Sequence, residues 1–157
     1  MASNNSKSNS YLSFRLGKEI FAAHVSSTLK ILQLSDITKV PNAPANIKGV
    51  INHHGNVLPV VDLNQTLGLP ETEYGKNTCI VILSIGEDSD KSIVGAIVDE
   101  ILNVEDIVND QISPPPSLGN NNAMDTISGV FKKDDNFIMI LNIDNIFKEI
   151  NFENQKI

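Results

Sequence analysis

The feature that most constrains this chain is its punctuation. Short apolar, β-branched runs recur along most of its length, each cut off by Gly, Pro, Asn or charged residues. Tyr11 to Leu16 alternates, Gly17-Lys18 interrupts it, and Glu19 to Val25 resumes, which reads as a hairpin. Gly49 to His54 and Val57 to Val61 flank Gly55-Asn56 and read as a second. Cys79 to Ile85 and Ser92 to Val98, around an acidic loop, form a third. Ile127 to Phe131 and Phe137 to Leu141, around a turn at 132–136, form the last. Ile37 to Val40 is read as a short strand, and Asp99 to Val104 as another after a bend. About ten short strands without long intervening helices disfavour a parallel α/β sheet and predict an all-β fold with short helices.

Three helical pieces are expected. Ser26 to Leu34 is read as a helical turn leading into a strand, with Ser26 as its cap. Asp62 has the chemistry of an N-cap for a short helix over 63–67, stopped by Gly68 and Pro70. Asn142 stands before a terminal helix over 143–150. Pro59 places its strand at an edge or a bulge, because proline cannot donate to a ladder. Residues 113–126, with three consecutive prolines and three asparagines, are read as an irregular loop.

Length and charge narrow the function. The chain has 157 residues, 41% of them hydrophobic, within reach of one folding unit with a real core. Its 12 basic and 19 acidic side chains give a net charge of −7. That balance opposes nucleic acid and acidic membrane surfaces and leaves proteins as the expected partners. Cys79 is the single cysteine, so no internal disulfide forms, and its apolar run reads as a buried strand. The polar first ten residues have no apolar signal-peptide core and are read as a disordered tail; a cytoplasmic location is expected.

Chemistry is hard to find. There is no P-loop, GxGxxG or HExxH pattern. His53 and His54 are adjacent, so on a strand they face opposite sides and do not share a metal. His24 closes a strand and reads as a surface residue. Asp62 reads as a cap, and Asp99, Glu100, Glu105 and Asp106 as turn-solvating groups rather than an acid–base pair. No catalytic residue, metal or cofactor is expected. A small hydrolase or metal protein on a β scaffold is the weakest of the readings.

One segment stands apart, running from Val40 through Pro41, Pro44, Ile47, Gly49, Val50, Ile51, Asn52, Gly55, Pro59 and Val60 to Asp62-Leu63. It resembles the CheW family of bacterial chemotaxis coupling proteins, whose pattern there is P-x-x-P-x-x-I-x-G-V-I-N-L-R-G-x-x-x-P-V-x-D-L. The likeness continues at Phe14, Leu16 and Gly17, at Val94-Gly95 to Val98-Asp99, at Gln111 to Pro115, at Ile127 to Val130 and at Ile138 to Ile143, covering about residues 11–148. It implies two packed five-stranded SH3-like barrels, with a tail at 1–10, lobes divided near 70–77, and a second tail at 149–157. It also implies a non-catalytic adaptor that binds the regulatory domain of the histidine kinase CheA and the cytoplasmic tip of a chemoreceptor, recruited to membrane receptor arrays without entering the bilayer.

The family positions transfer residue by residue. Lys30, Gly49, Asn52, His54 and Gly55 are expected on the receptor side, and Ile37, Lys39 and Val57 on the kinase side. For the glycines plain turn geometry is the competing role, and for Ile37 and Val57 it is the barrel core. Two positions depart from the pattern: Lys30 stands where the family has glutamate, and His54 where it has arginine. In the family that pair is understood to bridge the first barrel; Lys30 and His54 cannot reproduce it. Those departures favour a second reading, a CheW-like scaffold serving another kinase pathway, of motility or gene regulation.

Overall fold

The computed structural model describes residues 8–44, 47–86, 91–115 and 126–147. The strands run β1 (Ser8–Leu16), β2 (Glu19–His24), β3 (Thr28–Gln33), β4 (Ile47–His53), β5 (Asn56–Asp62), β6 (Cys79–Ile85), β7 (Ser92–Val98), β8 (Glu100–Val108), β9 (Ile112–Ser113), β10 (Ile127–Lys133) and β11 (Asn136–Leu141). Helix α1 (Leu63–Thr66) follows β5 and α2 (Ile143–Phe147) follows β11. All four expected hairpins are present. The chain is mostly β with short helices, as its punctuation requires.

The strands sort into two sheets, of orders β8-β1-β2-β11-β10-β9 and β3-β6-β7-β5-β4. Chain order does not decide this sorting. The first hairpin leaves its neighbours to pair with β8, antiparallel, and with β11, parallel. The expected division near 70–77 therefore does not coincide with the sheet boundary, since β5 and β7, on either side of it, pair directly. The first sheet also carries a sixth strand, the two-residue β9, beside the expected five.

Burial follows the pleat. In β6, Ile80 and Ile82 enter a small core within the five-stranded sheet, with Ile51, Leu58, Val60 and Ile97. Their neighbours Val81, Leu83 and Ile85 face the other way, into a larger core with Leu12, Phe14, Leu16, Phe21, Val94, Leu141 and Phe147. A third core, of Tyr11, Ala22, Ile107, Ile138 and Ile140, belongs to the six-stranded sheet. Strands buried on both faces lose polar alternation, which is why β6 and β7 read as continuous apolar runs. Each sheet thus wraps its own core and shares a central one.

Several local expectations need correction. Ser26 does not cap the turn at Val25–Ser27; His24 does, its ring accepting from the Ser26 N–H. Its ring also lies within hydrogen-bond reach of Asn9 and packs edge-on against Tyr11 at 5.1 Å, so it is not a simple surface residue. Residues 37–40 form no strand, only a bridge between Thr38 and Val50. Pro59 lies in an interior strand, one residue before pairing to β7 begins at Val60. Its missing N–H thus falls outside that short ladder. The strand after Val98 runs four residues beyond Val104. The N-terminal tail is shorter than expected because β1 starts at Ser8. Cys79 is half-buried, and burial pushes its thiol pKa up. Residues 116–125 of the expected loop, 148–150 of the terminal helix and the 149–157 tail lie outside the described residues.

Candidate functional site

The β4–β5 turn is built by backbone sign. His54 has φ 54° and Gly55 φ 83°, and His53 pairs with Asn56 across them. Two successive positive φ angles make a type I′ turn, whose twist suits a hairpin. Asn52 steadies it, its Oδ1 accepting the Gly55 N–H at 2.9 Å. The turn centre is therefore His54-Gly55, one residue earlier than the Gly55-Asn56 read from sequence. That shift has a consequence. His53 and His54 do not point to opposite faces of a strand; their rings lie 4.2 Å apart.

Lys30 approaches from the far end of the sheet. It pairs with Ile82, so its side chain rises on the face that covers the small core of Ile80 and Ile82. A bulge between Thr28 and Lys30 sets that register. β3 and β4 are the two ends of the five-strand order, yet Lys30 acts electrostatically on the His53 ring. Partial desolvation, then His54 and then Lys30 push the His53 pKa below the usual histidine range. Among the described residues no carboxylate pairs with Lys30, His53 or His54.

The other expected residues divide differently from the sequence reading. Val57 is 70% exposed and pairs with Asn52, so it stands at the turn and not in the barrel core. Ile37 is half-buried and packs on the small core. Lys39 is exposed and lines a cavity of about 810 Å³ with Leu34, Asp36, Glu71 and Tyr74. Gly49 is buried at a β4 bulge with φ 148°, and an added Cβ would collide with the Thr38 carbonyl. Its surroundings assign it to chain packing: it lets segment 37–38 lie on β4.

Sequence reasoning missed a polar latch between the sheets. Asp62, fully buried, accepts from the N–H of Asn64 (3.0 Å) and from the N–H (2.8 Å) and hydroxyl (2.7 Å) of Thr72. Asp99 accepts from the Gly17 N–H in the first hairpin and from the Asn64 amide at 3.3 Å. Glu100 pairs with Arg15 at 3.2 Å and Glu105 with Lys133 at 2.8 Å, so these carboxylates are not turn-solvating groups. Asp62 and Asp99 closing their apolar runs were the available signal. Among the described residues no three His, Cys, Asp or Glu side chains converge as a metal site, and no helix is long and apolar enough to cross a membrane.

Comparison with known proteins agrees with this architecture. The family model described as the CheW-like domain matches residues 10–151. The chemotaxis protein CheW of Thermotoga maritima is 32% identical over 143 residues, 88% of this chain and 87% of that protein. Protein FrzA of Myxococcus xanthus is 30% identical over 126 residues, 80% of this chain and 76% of that protein. The crystal structure of the scaffolding protein TtCheW from Thermoanaerobacter tengcongensis superposes with a TM-score of 0.79 at 29% identity, covering 92% of this chain and 95% of that one. The two-sheet architecture and a family match across nearly its whole length lead to one conclusion: this chain belongs to the CheW-like domain family.

Proposed function

We propose that the chain is a non-catalytic chemotaxis adaptor, coupling the cytoplasmic tip of a chemoreceptor to the regulatory domain of a CheA-type histidine kinase. The observation that carries the reading is the structural correspondence with a scaffolding protein over 92% of this chain. Relatives named as chemotaxis proteins support the same role. The surface suits it: Val57 at the turn and Leu29 and Ile31 on the edge strand β3 are large apolar side chains left in water. Coupling needs differential contact with partner states and no bond chemistry. Its place is the cytoplasm, at receptor arrays. Reconstitution tests it. Receptor-tip fragments and kinase from the same genome are mixed with and without the chain, and kinase autophosphorylation is measured. Autophosphorylation should respond to the receptor only when the chain is present. Failure to bind either protein would overturn the reading.

A second reading keeps the scaffold but changes the pathway, to another kinase system of motility or gene regulation. The replacement of the family's Glu–Arg pair by Lys30 and His54 favours it, because charge sets partner choice. Recovery of a different kinase with a homologous regulatory domain would support it.

A further inference from the structure

We infer that the ion pair between Glu105 and Lys133 is a clasp that closes the six-stranded sheet by charge, where the five-stranded sheet closes on apolar packing. The inference does not depend on which partner the adaptor meets.

The two sheets are built on one plan, and the plan identifies equivalent positions. Ile47-Lys48-Gly49-Val50 recurs as Ile127-Ser128-Gly129-Val130. Both glycines sit at a bulge, and at both an added Cβ would strike a short segment laid across the strand, at Thr38 and at Ile112 respectively. The hairpin turns that follow share an uncommon backbone sign, φ 54° at His54 and φ 55° at Asp134. The returning strands pair in parallel with the other hairpins, Val60 with Gly95 and Ile140 with Ala22. Traced outward along the ladders, the end strands β3 and β8 each hold one extra residue at the same place, Leu29 and Leu102. Leu32, opposite Ile80, is therefore the counterpart of Glu105, opposite Tyr11. His53 and Lys133 are counterparts just before the turns.

At these positions the sheets differ in chemistry. Leu32 packs on the small core of the five-stranded sheet. Glu105 shares a face with Tyr11, a member of the core of the six-stranded sheet, and its side chain is only 12% exposed. A carboxylate so far withdrawn from water requires a partner. Lys133 supplies it, its Nζ donating to Oε1 at 2.8 Å and to Oε2 at 2.9 Å. β8 ends the six-strand order and β10 lies next to its other end. Among the described residues these two strands share no backbone pairing, so side chains make the bridge. A cavity of about 150 Å³, lined by Ser13, Ile20, Leu102 and Ile138, lies behind the pair. This end of the sheet is thus held by the pair rather than by close packing.

Hydrogen exchange of the full chain, resolved by peptide and followed in low and high salt, tests the clasp. Lys133→Met strands the Glu105 carboxylate and should speed exchange about fivefold at residues 102–106 and 132–136, with β3 and β4 unchanged. High salt should speed the same peptides in the native chain. Lys133→Arg keeps a donor and should exchange like the native chain. Glu105→Leu combined with Lys133→Met copies the apolar closure of Leu32; it should return exchange to within about twofold of native and remove the salt dependence. Native-like exchange in Lys133→Met overturns the inference, as does a double variant that exchanges as fast as the single one. A rise spread equally over both sheets also overturns it, because the pair would then act on global stability and not on one sheet end.

Discussion

Single residues in this protein are constrained for different reasons that the sequence alone did not separate. Gly49 and Gly55 shared one expectation, a receptor-side position with plain turn geometry as the competing role. Gly55 has open space where a Cβ would stand, so only its φ of 83° matters. Gly55→Ala should cost about 1–2 kcal/mol, the penalty of an alanine in the left-handed region. Gly49 combines φ 148° with backbone against the missing Cβ. Gly49→Ala should cost about 3 kcal/mol or more, because strain and overpacking add. Thermal melts of the two variants check the order, and equal losses would contradict the packing account. His53 carries a second residue-scale prediction. Its folded pKa lies below that of an unfolded histidine, so the unfolded chain binds the proton first as pH falls. Its contribution to stability is present above the ordinary histidine range and is lost as pH falls through the folded pKa. Lys30→Glu removes one cause of the shift and should move the His53 pKa upward in an NMR titration. An unmoved titration would show that Lys30 and His53 do not face each other.

At the scale of elements, the hairpins were legible because each is specified locally, by apolar runs and the turn chemistry between them. The short helix α1 was legible for the same reason, since Asp62 caps it as expected and accepts from the Asn64 N–H. The candidate site was legible only in part. The Asn52, His54 and Gly55 turn announced itself, but His54 was read as a strand residue because the turn centre was placed one residue late, whereas His53 does close β4. Nor could Lys30 be joined to it by local reasoning, since β3 and β4 stand at opposite ends of the sheet order and Lys30 acts on His53 only through its charge. The same limit hid the second duty of Asp62. Capping uses only one of its bonds; the others pin Thr72 and hold the 70–77 link against α1. Asp62→Ala should therefore cost about 3 kcal/mol, more than an exposed cap alone, because the buried Thr72 N–H loses its acceptor. Hydrogen exchange should quicken at Thr72 more than in β10 and β11. A loss confined to helix fraying, with Thr72 still protected, would show that the link is held by other contacts.

For the whole molecule, the unit of folding follows from where the apolar side chains go. A division by chain order would make two independent lobes, split near residue 70. The β1–β8, β2–β11 and β5–β7 pairings cross that point, and no local pattern encodes which distant strands meet. The large core then draws Phe14 and Phe21 from one sheet and Val81, Leu83 and Ala96 from the other. Neither sheet can bury that face alone, so the two should unfold together. Phe14 is 1% exposed and central to the shared core, and Phe14→Ala should cost about 3–5 kcal/mol. Ile82, 2% exposed, belongs to the small core of one sheet only, and Ile82→Ala should cost about 2–5 kcal/mol. If the shared core couples the sheets, both variants shift one calorimetric transition, and the van't Hoff and calorimetric enthalpies agree in each. If the sheets are separable, Ile82→Ala splits the transition and leaves the six-stranded sheet melting near its original temperature. The distinction bears on signalling, because a partner held by one sheet influences the other through what the two share, the central core and the polar latch at Asp62 and Asp99.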